Sequence, residues 1–166
     1  MKIECLLVLG FWLTSVDAFS QERGGFSLEQ KNDTLSILTL RTDTTCDRWE
    51  LPYPVYQFAT GDVDGDGSID AMVGVIKTTR YFKEKGRRLF IFKNYEGLVR
   101  PLWMGSKLGG ILEDFRFIDG KIRSLECTTD GKYVVAEYRW DHFGMGFERF
   151  LLKNVTKEEA VECFEN

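Results

Sequence analysis

The chain has 166 residues, enough for one domain with a hydrophobic core and too few for two ordinary domains. Hydrophobic residues make up 43% and charged residues 29%, which excludes an intrinsically disordered chain. The formal net charge of −4 gives no support for nucleic acid or an acidic membrane surface as a partner.

Residues 1–20 have the pattern of a secretory signal peptide. Lys2 precedes a short apolar run over residues 5–16, and the small residues at 18–20 suit cleavage by signal peptidase. The run is shorter than the about 20 residues that a permanent membrane helix needs. We therefore expect an exported protein, periplasmic or extracellular, with no transmembrane segment in the mature chain. A buried N-terminal strand is the alternative interpretation.

The remainder is interpreted as a flexible segment, residues 21–34, followed by one β-rich domain, residues 35–166. An aromatic content of 14% favours strands over helices. Short β-branched or aromatic runs predict strands at residues 35–41, 55–60, 71–77, 88–93, 98–103, 112–118, 121–127, 132–140 and 146–153. Residues 42–54 are predicted to be a loop, because Pro52 and Pro54 exclude a regular helix.

Two Asp-Gly pairs, at 119–120 and 130–131, predict two-residue hairpin turns, because both central residues of such a turn need a positive φ. They predict a meander of three antiparallel strands from about residue 112 to about residue 140. A short C-terminal helix is predicted from the capping-box pattern of Thr156 and Glu159.

Three cysteines follow the predicted signal peptide, so at most one internal disulfide can form. Cys46 lies in the predicted loop and Cys163 near the C-terminus, which favours that pair and leaves Cys127 buried in a strand. An oxidising compartment would permit the bridge. Three buried free thiols are the alternative, and the sequence does not decide between them.

The segment DVDGDGSID, residues 62–70, places carboxylates at alternate positions of a tight loop. Calcium prefers six to eight oxygen ligands, and Gly67 permits the sharp turn that such a loop needs. The predicted ligands are Asp62, Asp64, Asp66, Ser68 through its carbonyl, and Asp70 directly or through water. The sequence therefore predicts calcium as a cofactor. A plain acidic turn is the alternative, although its acids would repel one another without a cation.

The loop does not fit an EF-hand, which would need Glu at its twelfth position, where this chain has Val73. The flanking sequences VYQFAT and AMVGVIK are strand-like. From about Phe58 to Asn94 the chain instead resembles the FG-GAP or VCBS repeat, found in β-propeller blades of integrins and of exported bacterial proteins. The resemblance implies a strand–loop–strand site with the five ligands named above. The Phe-Gly and Gly-Pro landmarks of the repeat are absent.

The resemblance also implies a mostly β fold. A propeller needs about four to eight blades of about 40–45 residues, whereas the 146 residues after the predicted signal peptide supply about three. We therefore expect antiparallel sheets built of two or three propeller-blade-like units with a short C-terminal helix, and no closed propeller.

Two segments are candidates for binding a protein or glycan partner. The first, residues 77–88, is densely basic, and the second, residues 140–147, combines aromatics with glycines. The candidate residues are Arg80, Tyr81, Phe82, Trp140 and His142. The alternative interpretations are a solvated hairpin loop and a turn whose aromatics pack on the core.

The function predicted from these features is an exported, non-catalytic calcium-binding β module that binds a protein or glycan, with the calcium ion structural. The alternative is a cell-envelope hydrolase or an accessory domain of one. The chain has one histidine and lacks a nucleophile elbow or phosphate loop. Glu113 and Asp114 are adjacent on a predicted strand, so they point to opposite faces and cannot pair as acid and base.

Overall fold

A computed structural model of the chain describes residues 25–80, 83–105 and 107–166. The predicted signal peptide, together with Tyr81 and Phe82, lies outside the described residues. Within them, eleven strands form three antiparallel sheets and one short helix lies near the C-terminus. This architecture confirms the predicted mostly β fold class, and the three sheets do not close into a ring.

Each sheet is an antiparallel meander built from one continuous stretch of chain. The first sheet comprises β1 (Gly25–Asn32), β2 (Leu35–Arg41) and β3 (Cys46–Leu51). The second comprises β4 (Val55–Gly61), β5 (Asp70–Lys77), β6 (Gly86–Tyr95) and β7 (Leu98–Met104). The third comprises β8 (Ile111–Ile118), β9 (Lys121–Cys127), β10 (Tyr133–Asp141) and β11 (Gly144–Val155), and it is followed by the helix α1 (Lys157–Glu165).

The sheets stack in chain order, and the second sheet is buried on both faces. In β5, Ala71 and Val73 pack with the first sheet, whereas Met72 between them packs with the third. This explains why the sequence of β5 is almost continuously apolar, since a strand covered on both faces has no solvated side. On the outer face of the third sheet, Leu125 and Val135 pack against α1.

Two elements of the first sheet correct the predictions from sequence. Residues 25–32 form β1, so the assignment of residues 21–34 to a flexible segment is wrong there. Residues 46–51 form β3 inside the predicted loop 42–54. Both strands lie at the edges of the first sheet and bury few side chains, chiefly Phe26 in β1 and Leu51 in β3. Their sequences therefore lack a strong apolar pattern.

One of the two predicted Asp-Gly turns has the predicted form. Between β8 and β9, Asp119 and Gly120 have φ values of 51° and 73°, as a two-residue hairpin turn requires. The connection from β9 to β10 is wider than predicted. The Thr128 N–H donates to the Lys132 carbonyl at 2.8 Å, and only Gly131 of its Asp-Gly pair has a positive φ. The predicted meander is otherwise present.

All three described cysteines are free thiols, so the predicted bridge between Cys46 and Cys163 is not formed. Cys46 is exposed at the start of β3 on the first sheet, whereas Cys163 is half-buried in α1 against the outer face of the third sheet. The second sheet separates them. Cys127 is only half-buried, at the end of β9, so the alternative of three buried thiols is also wrong.

The predicted C-terminal helix is confirmed together with its cap. The hydroxyl of Thr156 accepts the Glu159 N–H at 3.4 Å, and the Glu159 carboxylate accepts the Thr156 N–H at 3.0 Å. The helix buries Ala160 and Phe164 against the third sheet. None of the described residues belongs to a helix with the length and apolar character needed to cross a bilayer.

The substitution Thr156→Ala is expected to lower the free energy of unfolding by about 1 kcal/mol, because it removes the side-chain acceptor of the capping box. The melting temperature should fall by roughly 3 °C for a domain of this size, measured by circular dichroism. Thr129→Ala is the matched control, since Thr129 is exposed outside any helix. Equal melting temperatures for the wild type and Thr156→Ala would contradict a stabilising role for this cap.

Candidate metal centre

The acidic loop, residues 62–69, connects the adjacent antiparallel strands β4 and β5, whose last and first residues, Gly61 and Asp70, are paired across the hairpin. Gly61 has no room for a side chain, because a Cβ there would lie 2.1 Å from the ring of Phe117. Val63 points inward with 4% of its surface exposed and packs in the core between the second and third sheets. The loop is therefore anchored at both ends and in its middle.

Within the loop, backbone N–H groups hold the first carboxylate in place. The two oxygens of Asp62 accept from the N–H groups of Gly65 at 2.7 Å and Gly67 at 2.9 Å. Gly65 and Gly67 have φ values of 75° and 85°, a region that favours glycine. Gly67 thus makes the sharp turn that the sequence predicts.

Three carboxylates converge on the inner side of the loop. Ligand oxygens of Asp62, Asp64 and Asp70 all lie within 4.8 Å of one another. Asp70 is completely buried, and one of its oxygens, Oδ2, accepts the Val63 N–H at 2.9 Å. Its other oxygen, Oδ1, is buried without a hydrogen-bond partner.

The unpartnered oxygen of Asp70 distinguishes it from the other two buried acidic residues of the described chain. The Glu137 carboxylate accepts from Arg149 at 2.8 Å and pairs with Arg123. Glu126 accepts from Ser124 at 2.6 Å and from the Gly110 N–H. Because a buried carboxylate without compensation is costly, native structures rarely leave one unpaired. The buried Oδ1 of Asp70 is therefore left able to accept a hydrogen bond or to bind a cation.

The electrostatics of the three carboxylates are also compatible with a bound cation. Burial, together with the nearby charges of Asp64 and Asp66, raises the pKa of Asp70 from its ordinary value of 3.8 to about 6, against the opposing effect of the Val63 hydrogen bond. These carboxylates repel one another, and a positive charge between them would relieve the repulsion. The donor set, three carboxylates on a tight loop, suits a hard divalent cation.

Asp66 lies outside this cluster of three carboxylates. The Asp66 carboxylate accepts from the ammonium group of Lys93 at 2.9 Å and from the Ser68 N–H at 2.8 Å. The hydrogen bond from Lys93 is the main cause that lowers the pKa of Asp66. Lys93 also donates to Asp64 at 2.7 Å. The roles of Asp66 and Ser68 as metal ligands stay predictions.

The three candidate partner-binding residues that the structure describes lie at two separate places. Trp140 and His142 line a shallow cleft with Asp64 and Asp141, beside the acidic loop. Trp140 is half-buried against the core, whereas His142 is exposed and contacts Asp141 at 2.6 Å. Arg80 follows the opposite end of β5, roughly 23 Å away at about 3.3 Å per residue. Among the described candidates, Arg80 therefore does not share a surface with Trp140 and His142.

Comparison of the chain with models of known protein families, with curated proteins and with solved structures gives no match. The resemblance to the FG-GAP repeat rests on the sequence from about Phe58 to Asn94 and stays a prediction.

Sequence reasoning missed two residues that shape the site. Lys93 lies on β6, 29 positions from Asp64, and only strand pairing brings its ammonium group to the loop. Asp141 reaches the cleft through the hairpin between β10 and β11. No local pattern signals either position. The burial of Val63 could have been inferred, since it is an apolar residue inside an otherwise polar loop.

Proposed function

We propose that the acidic loop binds one calcium ion, which fixes the connection between β4 and β5. Asp62, Asp64 and Asp70 would hold the ion, and Asp66 and Ser68 would complete the ligand set directly or through water. The observation that carries the proposal is the fully buried Asp70 oxygen without a partner beside two further carboxylates. The bound ion supplies positive charge that offsets this burial and stabilises the folded loop by mass action.

Charge also favours a divalent ion. The three aspartates of the loop and Asp70 at the start of β5 carry four negative charges, and Lys93 supplies one positive charge to Asp64 and Asp66. A net negative charge thus remains near the Asp70 oxygen. Calcium suits the site better than magnesium, because magnesium demands near-ideal octahedral geometry and releases its water reluctantly.

We further propose that the protein is an exported, non-catalytic module that binds a protein or glycan at the edge carrying the calcium loop. The support is the cleft beside the loop, where Trp140 and His142 lie next to Asp64. A partly exposed aromatic ring beside polar groups in a cleft is typical of binding surfaces. The hydrolase alternative gains no support from the bonded pair Ser124 and Glu126, because both are buried and out of reach of a substrate.

Calcium titration of chelator-stripped protein by isothermal calorimetry tests the metal proposal. The wild type is expected to bind one ion with a dissociation constant of about 1 mM or tighter, and magnesium more weakly. Asp64→Ala should weaken calcium binding by more than about 100-fold. Loss of a direct metal ligand should lower the affinity more than loss of a residue that only hydrogen-bonds to a ligand. Asp130→Ala, which changes an exposed acid in another turn, is the control. Absence of saturable binding, or equal losses in both variants, would overturn the proposal.

A further inference from the structure

A second concave site lies at the other end of the molecule from the acidic loop. It is a cavity of about 250 Å³ between the start of β6, the end of β7 and the start of β8. Its apolar lining comes from Leu89, Trp103, Leu108, Ile111 and Leu112. Leu89, Leu108 and Leu112 belong to the core between the second and third sheets, so the cavity floor is a rigid part of the fold.

Three glycines contribute to the wall of this cavity. Gly86, Gly105 and Gly110 all line the cavity. Gly105 has a φ of 70°, and a Cβ there would lie 2.7 Å from the ring of Phe90. At Gly110, the backbone N–H donates to Glu126, and a Cβ would lie 2.8 Å from the Glu126 carboxylate. Side chains at these two positions would clash with the protein itself.

The lining also carries a strong excess of positive charge. It comprises four cationic residues and one acidic residue: Lys85, Arg87, Arg88, Lys107 and Glu84. The guanidinium of Arg87 is fixed by a hydrogen bond to the Glu113 carbonyl and lies 4.7 Å from the ring centre of Tyr56. Arg88 donates to the backbone carbonyl of Arg87 at 2.8 Å. An apolar floor under a cationic lining favours a ligand with an apolar body and a negative head.

We propose that this cavity binds a small amphipathic anion, a carboxylate carried by an acyl chain. The volume matches a ligand on the order of ten non-hydrogen atoms, the size of an eight-carbon acid. The acyl chain packs on Leu89, Leu112 and Trp103, and the carboxylate lies toward Lys85. The site is independent of the acidic loop, because the two occur at opposite ends of the second sheet.

Titration with octanoate tests the proposal, with octanol and octyltrimethylammonium as ligands of the same chain length. Octanoate is expected to bind saturably with a dissociation constant of about 0.1–1 mM, and the neutral and cationic ligands at least about tenfold more weakly. Tryptophan fluorescence gives a local signal. The response should be lost in Trp103→Phe and kept in Trp49→Phe, because Trp49 packs between the first and second sheets.

Three variants separate the charge from the apolar floor. Lys85→Glu should weaken octanoate binding about fivefold or more, whereas Lys83→Glu, in the same segment but outside the lining, should change it less than about twofold. Ile111→Trp should abolish binding by filling the cavity from a position that is half exposed, where the larger ring does not disturb the core.

Melting curves establish that each variant is folded. Binding of octanol or octyltrimethylammonium as tight as that of octanoate would overturn the proposal. An equal loss of octanoate affinity in Lys85→Glu and Lys83→Glu would also overturn it. So would the absence of saturable octanoate binding to the wild type.

Discussion

Replacing Asp70 by asparagine is expected to make the calcium-free protein more stable than the wild type and the calcium-loaded protein less stable. Without a cation, the wild-type carboxylate is buried with one unpartnered oxygen beside Asp62 and Asp64. In Asp70→Asn the amide oxygen can still accept from the Val63 N–H, and the amide nitrogen can donate to those neighbouring carboxylates. A repulsive buried charge is thereby replaced by a neutral hydrogen-bonding group.

The expected gain in calcium-free protein is about 1–3 kcal/mol, the cost of an unsatisfied buried polar group. With calcium at about 100 times its dissociation constant, the wild type should gain about 2.7 kcal/mol, whereas Asp70→Asn should gain almost none. At roughly 3 °C per kcal/mol, the order of the two melting temperatures should reverse between chelator and calcium.

Differential scanning calorimetry in chelator and in calcium measures both effects. Asp119→Asn is a matched control, because Asp119 lies in a positive-φ turn that asparagine also tolerates. It should leave both melting temperatures unchanged. A calcium response retained in Asp70→Asn would contradict the role of Asp70 as a ligand, and a loss of stability in chelator would contradict the account of its buried charge.

The substitution Phe115→Ala is expected to lower the free energy of unfolding by about 3–5 kcal/mol. Phe115 on β8 is completely buried between the second and third sheets, with its ring 6.4 Å from that of Tyr56 on β4. Removing the ring leaves a cavity at the contact between the two sheets. Neighbouring strands cannot easily collapse into it, because each is fixed by its sheet.

Urea unfolding followed by tryptophan fluorescence measures this loss as a lower midpoint. Phe143→Ala removes the same side chain from the hairpin between β10 and β11, where it is 96% exposed, and should change stability by less than about 0.5 kcal/mol. A loss below about 1 kcal/mol in Phe115→Ala would contradict the close packing of the second sheet on the third.

The third sheet was predictable because its local signals agree with one another. Strand β10 has one predominantly apolar face, formed by Val134, Ala136, Tyr138 and Trp140, and the turn at Asp119 and Gly120 fixes β8 in register with β9. The helix α1 was predictable from the capping box of Thr156 and Glu159, which acts within one turn of the chain. Structure determined by neighbouring residues can be inferred from sequence.

The first sheet was not predictable to the same degree. β1 pairs only with β2 and exposes most of its side chains, so its polar sequence resembles a flexible segment. β3 directly precedes two prolines that exclude a helix but still permit a strand to end at Leu51. Both strands depend on pairing with β2 and on packing against the second sheet. These interactions are tertiary, so the local sequence pattern does not predict them.

In the candidate metal centre too, some features follow from the local sequence and others depend on tertiary packing. The convergence of Asp62, Asp64 and Asp70 follows from their spacing on one tight loop. The contact of Lys93 with Asp64, and the position of Trp140 beside the loop, depend on strand order and on the packing of two sheets. The cysteines are free because the sheets place them apart in the structure. Their spacing in the sequence does not predict how far apart in space they lie.

The order of the sheets along the chain has a consequence for how the protein forms during synthesis. Because each sheet uses one uninterrupted stretch, the first can pair completely before any strand of the second has been made. Long-range chain closure, the slow step in many β proteins, is then limited to docking one finished sheet on the next. Each new sheet covers the apolar face left by its predecessor, and α1, which follows the third sheet, covers the outer face of that sheet.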